Sequence, residues 1–575
     1  MNRSLFKFFS AAILSLIIIT TCTSFNFLRK KKEQTNDVVI KSIDPLIKIT
    51  PEASPGMPET VQYNYAKGEE VHIQLVVWNK SSIKNFSIQN NLATNKNIGK
   101  ISVQRVGYVS IKEKAVKIDN SIQSSTNKYP DPLFDNNGAG NINDNTVTSF
   151  WISFDIPKNL KAGNCKVQLT CTGISDNKQI NITKNITLNI SNAVVKRTDY
   201  PWFANWIVVD IAGEGPSMKK LKYVNSNKDV TPYDNSYWDK ICSVASFMRA
   251  TNQNVYMLSP QRLAKYSYKG DELQIDFSRF DSMLNCYAKN KIISRIDGWQ
   301  ISTRPGGFEA NFIVQYVKKD SLGNAVFKTG LPNDVAVLKY YKAYLPALVA
   351  HLKSLNLYDI YYQHIADEPI DANADSYINI IKMVKGIVPD LKTLEPIQTT
   401  KVAEYIDVPI PQLDYLDKHS DYFENLIKQG KEVWMYTALV PQGTYANRFI
   451  EQQALQHRLL FWILAKYNLK GMLNWGFDYW EGADPFNDLG KKSGQNIAPA
   501  GDGFLVYPKD DHLISSIRLE TMKDGLNDYA LLMQLKQKNP QLAQKLMNEV
   551  VQNYKTYITD INAFRKIRAT LLASL

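Results

Sequence analysis

The chain has 575 residues, of which 44% are hydrophobic, 11% aromatic and 21% charged. That is enough apolar surface for large packed cores, and it excludes a disordered tail or a collagen-like repeat. The formal net charge is +13, but six basic residues (Arg3, Lys7, Arg29, Lys30, Lys31, Lys32) precede the first acid, Glu33; the +7 left over the rest of the chain is too mild to expect a nucleic-acid partner.

The N-terminus reads as an export signal over residues 1–21. Arg3 and Lys7 form a positive flank, and the apolar run Phe8–Ile19 is too short to span a bilayer. Ile19-Thr20-Thr21-Cys22 follows directly, and a cysteine there resembles the lipidation site of a bacterial lipoprotein. Plain cleavage nearby is the alternative. Lipidation at Cys22 would make residues 22–42 a tether and the protein an exported, membrane-anchored one, and this anchor is the only membrane contact expected. Without it the protein would be periplasmic or secreted.

Residues 43–196 alternate with period two. Val71–Trp78, the Cys165–Cys171 stretch and Ile186–Ile190 read as strands, with turns at Asn136-Asn137-Gly138 and Ala162-Gly163-Asn164. Many short strands with few helical windows predict a β-sandwich, either a structural partner or a sugar-binding module. Cys165 and Cys171 lie on one strand roughly 20 Å apart, too far to bridge. Cys242 and Cys286 fall in helical patterns. With no C-x-x-C pair and no H-E-x-x-H, free thiols are expected and zinc is not.

After Arg197 short apolar runs alternate with helical windows. Eight strands are predicted: Trp202–Val209, Asn254–Leu258, Ile292–Trp299, Tyr358–Ala366, Lys392–Pro396, Gln412–Tyr415, Val433–Thr437 and Gly471–Trp475. Helical stripes occupy Trp238–Ala250, Val335–Leu355, Tyr377–Ile387 and Glu451–Lys466. This is the pattern of a (β/α)₈ barrel over residues 197–535, despite a short stretch at Ala403–Pro411. Ile514–Lys536 is a further amphipathic run, and residues 536–575 form a helical C-terminal extension. The expected fold class is therefore multidomain β + α/β: an N-terminal β-sandwich, a (β/α)₈ TIM-type barrel and a helical extension.

Such barrels collect their chemistry at the C-terminal strand ends. The fourth strand ends Gln363-His364-Ile365-Ala366-Asp367-Glu368-Pro369. Two carboxylates sharing a pocket push their pKa values apart, which permits one acid and one anion. Other strand ends carry Asn205, Trp206 and Asp210; Asp297 and Trp299; Trp434 and Tyr436, with Asn447 and Arg448 in the following loop; and Asn474, Trp475, Asp478 and Trp480. Aromatic faces with interleaved amides and charges suit a sugar. His364 and Asp367 as a metal pair are disfavoured, since their spacing puts them on opposite strand faces. Neither a phosphate-cradling glycine loop nor a G-x-S-x-G elbow occurs.

The blocks Asp367-Glu368-Pro369, Val433–Tyr436, Tyr445–Phe449, Leu473–Gly476, Gly501–Pro508 and Ser516–Tyr529 resemble glycoside hydrolase family 123. Asn527 stands where an acid is expected, and residues 294–309 depart from the usual pattern. The resemblance implies a retaining exo-glycosidase that removes terminal β-linked N-acetylhexosamine, galactosamine by default, from a glycan. The substrate's own 2-acetamido oxygen attacks the anomeric carbon through an oxazoline-type intermediate. It further implies that Asp367 polarises the acetamide, that Glu368 is the acid/base, and that no cofactor or metal is needed. Asn205, Trp206, Trp434, Tyr436, Asn447, Arg448, Asn474 and Trp475 are the candidate substrate contacts. The alternatives are a glycosidase of different sugar preference and a non-catalytic glycan-binding surface lipoprotein. The oligomeric state is not legible.

Overall fold

The computed structural model describes residues 37–90, 101–113, 118–207, 233–288, 294–480, 484–490, 492–493, 496–510 and 512–575. Cys22, the N-terminal apolar run and Asp210 lie outside the described residues. Among those described, no helix is long and apolar enough to cross a membrane.

Two five-stranded sheets form the N-terminal region. One runs, in spatial order, Val38–Ile43, Glu70–Asn79, Thr146–Asp155, Ser102–Ser110 and Lys128–Asp135. The other runs Gln62–Lys67, Lys178–Val194, Gly163–Ser175, Ile83–Asn90 and Gly140–Ile142. The first strand starts at Val38, inside the stretch expected to be tether. Period-two alternation explains the packing. Val71, Ile73, Leu75 and Val77 meet Phe150, Ile152, Val167, Leu169, Ile186 and Leu188 between the sheets. The opposite face of the same strand is covered as well, so every residue from Val71 to Asn79 is buried. On that face Trp151, Val109, Tyr129 and Leu133 join the core of the following domain. The outer face of that sheet thus shares an apolar cluster with the α/β region, apart from the cluster between the two sheets.

The second region is α/β. Six of the eight expected strands form one parallel sheet: Tyr361–Gln363, Arg295–Gly298, Val255–Leu258, Trp202–Asn205, Gly471–Asn474 and Met435–Tyr436, in spatial order. Leu394–Ile397 and Val408–Pro411 form a separate parallel pair. Isolated parallel bridges join Gln363 to Thr393 and Gln412 to Tyr436. The sixth strand is therefore Val408–Pro411, not Gln412–Tyr415; Leu413–Lys418 is helical. Its two prolines disguise it, because proline within a run argues against a central strand. Only the 3₁₀ turn Ala403–Tyr405 connects it to the fifth strand.

The helices follow their apolar stripes. Asn235–Ala250 is capped by Asp234, whose carboxylate accepts the Tyr237 N–H at 2.8 Å. Val335–Ser354, Ala374–Ile387 and Ala454–Lys466 lie where expected. Cys242 and Cys286 are not free thiols: a disulfide joins Asn235–Ala250 to Ser278–Ala288 across 44 residues. Nothing local in sequence marks such a pairing. Cys165 and Cys171 are free.

Helix Ile517–Lys538 starts at Ser516, whose hydroxyl accepts the Leu519 N–H at 3.1 Å. It is buried from Ile517 to Leu532 and carries an ionic cluster to the sandwich. Asp528 accepts from Arg458 Nε at 2.6 Å, Arg458 Nη2 at 2.9 Å, Arg568 Nε at 2.7 Å and Trp462 Nε1 at 2.9 Å. Arg568 also bonds Glu69. Lys523 Nζ lies 2.7 Å from Glu520 and 2.6 Å from Glu70. Glu70, His72 and Glu520 are grouped closely enough to hold a metal ion, but the Lys523 ammonium already supplies the cation there. Asn527 accepts the Tyr200 hydroxyl at 2.5 Å. The helices Pro540–Val550 and Ile561–Ala573, separated by a small hairpin, complete the chain.

Candidate active site

A cavity of about 590 Å³ opens where the parallel strands end. Trp206 follows the first strand, Met257 lies in the second, and Trp299 follows the third. Asp367 and Glu368 follow the fourth, Gln398 the fifth and Gln412 the sixth. Tyr436 and Leu439 come from the seventh, Leu473 and Trp475 from the eighth. Every strand contributes, as parallel strands whose C-terminal ends share one side require.

The segment holding the two acids is laced down. Glu395 accepts the Ile365 and Ala366 N–H groups at 2.8 and 2.6 Å. The Ser302 hydroxyl donates to the Ile365 carbonyl at 2.7 Å. The Asp367 N–H donates to Gln300 Oε1 at 3.0 Å, and Arg304 donates to the Glu368 carbonyl at 3.2 Å. Glu368 has φ +50°, a left-handed backbone followed directly by Pro369. A residue with a side chain pays roughly 1–2 kcal/mol there, and such strain gathers at functional sites.

The electrostatics set the acids apart from surface carboxylates. Burial, then the charge of Asp367, pushes Glu368 up to about 7. The Tyr436 hydroxyl, 2.5 Å from Glu368 Oε1, and the Gln398 amide, 3.3 Å away, hold it down from going higher. Burial also raises Asp367, against the cations His364 and Arg304. Burial alone would depress His364, but Glu395 and Asp297 lift it to about 9. Its ring nitrogens lie 3.7 Å from Asp297 and 3.8 Å from Glu395. A cationic His364 beneath Asp367 favours the anion at Asp367, and that anion favours the acid form of Glu368.

The candidate sugar contacts divide in two. Trp206, Tyr436 and Trp475 line the cavity. Trp206 donates to Asp297 at 2.8 Å and Trp475 to Asp502 at 3.0 Å, so both indoles are fixed by a carboxylate. The other five do not line it. Trp434 is buried at the opposite end of its strand, bonded to Glu432 at 2.7 Å and stacked on Trp202. Asn205 bonds Gln253 at 2.7 Å and accepts from Arg448 at 2.6 Å. Arg448 also holds the Asp502 and Gly476 carbonyls. Asn447 donates to the Ala438 and Pro441 carbonyls, both at 3.0 Å, and Asn474 to the Thr437 carbonyl at 2.6 Å. These amides and this guanidinium satisfy buried backbone and shape the loops that form the wall. Gln398, Gln412, Arg304 and Glu395 join the site without being among the candidates the sequence offers. Glu395 alone carried a signal, as a lone acid inside an apolar strand.

The family model of the glycoside hydrolase 123 catalytic domain matches residues 216–535, and that of the glycoside hydrolase 123 N-terminal domain matches residues 47–173. The chain belongs to glycoside hydrolase family 123. It is a glycoside hydrolase, and its substrate is a glycan. A family 123 glycoside hydrolase from Clostridium perfringens, described for glycolipid glycan hydrolysis, has a similar structure. The TM-score is 0.68 at 15% identity, covering 93% of this chain and 96% of that one. The endo-beta-1,4-mannanase of Thermotoga petrophila reaches a TM-score of only 0.31 at 11% identity, over 58% of this chain and 76% of that one. No curated protein matches the sequence.

Proposed function

We propose that this family 123 enzyme is a retaining exo-β-N-acetylhexosaminidase, with N-acetylgalactosamine as the favoured sugar, working through participation of the substrate's acetamide. The observation that carries the reading is the pair Asp367 and Glu368 facing one ring-lined cavity, with Glu368 lifted to about 7. At that value Glu368 is poised to give a proton and take one back near neutrality. Asp367 accepts the acetamide N–H and steadies the positive charge that grows as the acetamide oxygen bonds to C1. Glu368 protonates the departing glycosidic oxygen, and the C1–O bond breaks. Glu368 then takes a proton from water, which opens the oxazoline with overall retention. Tethered attack replaces a protein nucleophile through effective molarity. Trp206, Trp299 and Trp475 offer ring faces for the sugar's C–H surfaces.

We read the eight parallel strands as one closed (β/α)₈ ring, a reading supported by the bridges Gln363–Thr393 and Gln412–Tyr436. We further propose export with lipidation at Cys22. Loss of labelled lipid in Cys22→Ala is the expected outcome, and unchanged labelling overturns it.

The deciding experiment is a panel of aryl β-glycosides, galacto and gluco, with and without the 2-acetamido group. Turnover is expected only with the acetamido group, inhibition by a thiazoline mimic of the oxazoline, and loss of most activity in Asp367→Asn. Robust cleavage of the plain galactoside would sink the participation scheme.

A further inference from the structure

Beside the catalytic cavity lies a second, larger one of about 1070 Å³. Arg262 lines both, with its guanidinium 5.5 Å above the ring of Trp299, a catalytic-cavity residue. The second cavity therefore begins where the first ends.

Its charge is one-sided. Arg262, Lys265, Arg279 and Lys328 line it, with no carboxylate among the described residues that line it. They converge from four places: the turn Pro260–Leu263, the hairpin strand Lys265–Lys269, the helix Ser278–Ala288 and the strand Ala325–Gly330. Lys265 is paired with Asp276 at 3.0 Å, and Arg279 lies 3.8 Å over the Tyr233 ring. Tyr266 and Phe327 pack edge-to-face at 5.7 Å in the same wall, and Phe327 is half-exposed. A groove with converging cations and exposed ring surface matches a sugar bearing an anion: the rings take the C–H face, and the cations focus the charge.

We propose that this groove is a subsite for an anionic group on the glycan, a carboxylate or a sulfate ester, carried on a residue beyond the bond that is cut. The placement beyond the scissile bond rests on the hydrolase reading; the recognition of the anion does not. The occupant spans from the catalytic cavity across Arg262, with its acid group toward Arg279 and Lys328.

The test is calorimetric titration of the full-length Glu368→Gln protein with lactose, sialyllactose and sulfated lactose, at low and high salt. The two anionic sugars separate a carboxylate from a sulfate source. Tighter binding of at least one of them than of lactose is expected, fading as salt screens the cations. Arg279→Ala/Lys328→Ala, neither of which lines the catalytic cavity, is expected to weaken that binding about tenfold. Charge reversal at Lys328→Glu keeps the test decisive if the double variant folds poorly. Equal binding of all three sugars, or anion binding unchanged in the folded variants, overturns the proposal. No turnover is needed, so a failed glycoside panel with intact anion binding would fault the catalytic reading and not this one.

Discussion

Asp367 and Glu368 are part-buried at a cavity wall and Asp524 and Asp528 are buried in a helix, yet the first pair has its pKa values pushed up and the second has them held down. In the helix Ile517–Lys538 Arg458 and Arg568, with His72 beside Asp524, hold Asp524 and Asp528 below the usual carboxylate range against the cost of burial. At the cavity the nearest donors to Glu368 are a phenol and an amide, and it rises to about 7. Loss of water raises both pairs; the number of cations decides whether a carboxyl becomes a brace or stays lifted toward neutrality. The longest family-like block, Ser516–Tyr529, is therefore architecture, while the short block Asp367-Glu368-Pro369 carries the two acids proposed to react.

The largest expected effect separates the two directly. Glu368→Gln should lower kcat/KM by about 10²–10⁴-fold while the protein stays folded. A Glu368→Gln protein as active as wild type would refute the assignment. Asp528→Ala should do the reverse, costing about 3–5 kcal/mol in denaturant titration by removing the buried carboxylate that Arg458 and Arg568 share. Activity per folded molecule should change little. A loss below about 1 kcal/mol would mean the cluster braces nothing.

A smaller, pH-dependent effect follows from linkage. The depressed acids Asp524 and Asp528 add stability that is present above the ordinary carboxylate range and lost as pH falls below that range through their lowered folded values. Glu368, raised, works oppositely: its contribution is present below about 4.5 and is lost as pH rises toward about 7. Denaturation midpoints should therefore drop on acidification, and Glu368→Gln should be relatively more stable than wild type at pH 8 than at pH 4. Parallel curves for the two proteins would break the comparison. The smallest effect belongs to Tyr436→Phe. Removing a hydrogen bond that favours the anion should move the basic limb of the pH–rate profile upward by less than about one unit. A downward shift would mean that the phenol does not stabilise the carboxylate.

Much of this was legible in the sequence. Period-two runs mark the sandwich, and helical stripes locate Asn235–Ala250, Val335–Ser354, Ala374–Ile387 and Ala454–Lys466. The Asp-Glu pair shows itself because charged residues rarely end an apolar run. What stayed hidden depends on partners far along the chain. Pro409 and Pro411 conceal a strand whose neighbour is Leu394–Ile397. The Cys242–Cys286 bond needs two helices to be side by side. Asn205, Asn447, Arg448 and Asn474 have a sugar-binder's composition, but their hydrogen bonds go to the protein itself. Trp434 and Tyr436 sit two residues apart, yet only the strand's direction tells which one faces the cavity and which the far end.

The left-handed backbone at Glu368 has a consequence for evolution and for engineering. Glycine at this position would relieve both the steric conflict and the burial of an ionisable group, so the wild-type residue is the worse choice for robustness. Selection for thermal hardiness alone would drift toward a sturdier, inert homologue. With Glu368 as the proposed acid/base, an enzyme that keeps the glutamate trades durability for turnover at a single peptide unit.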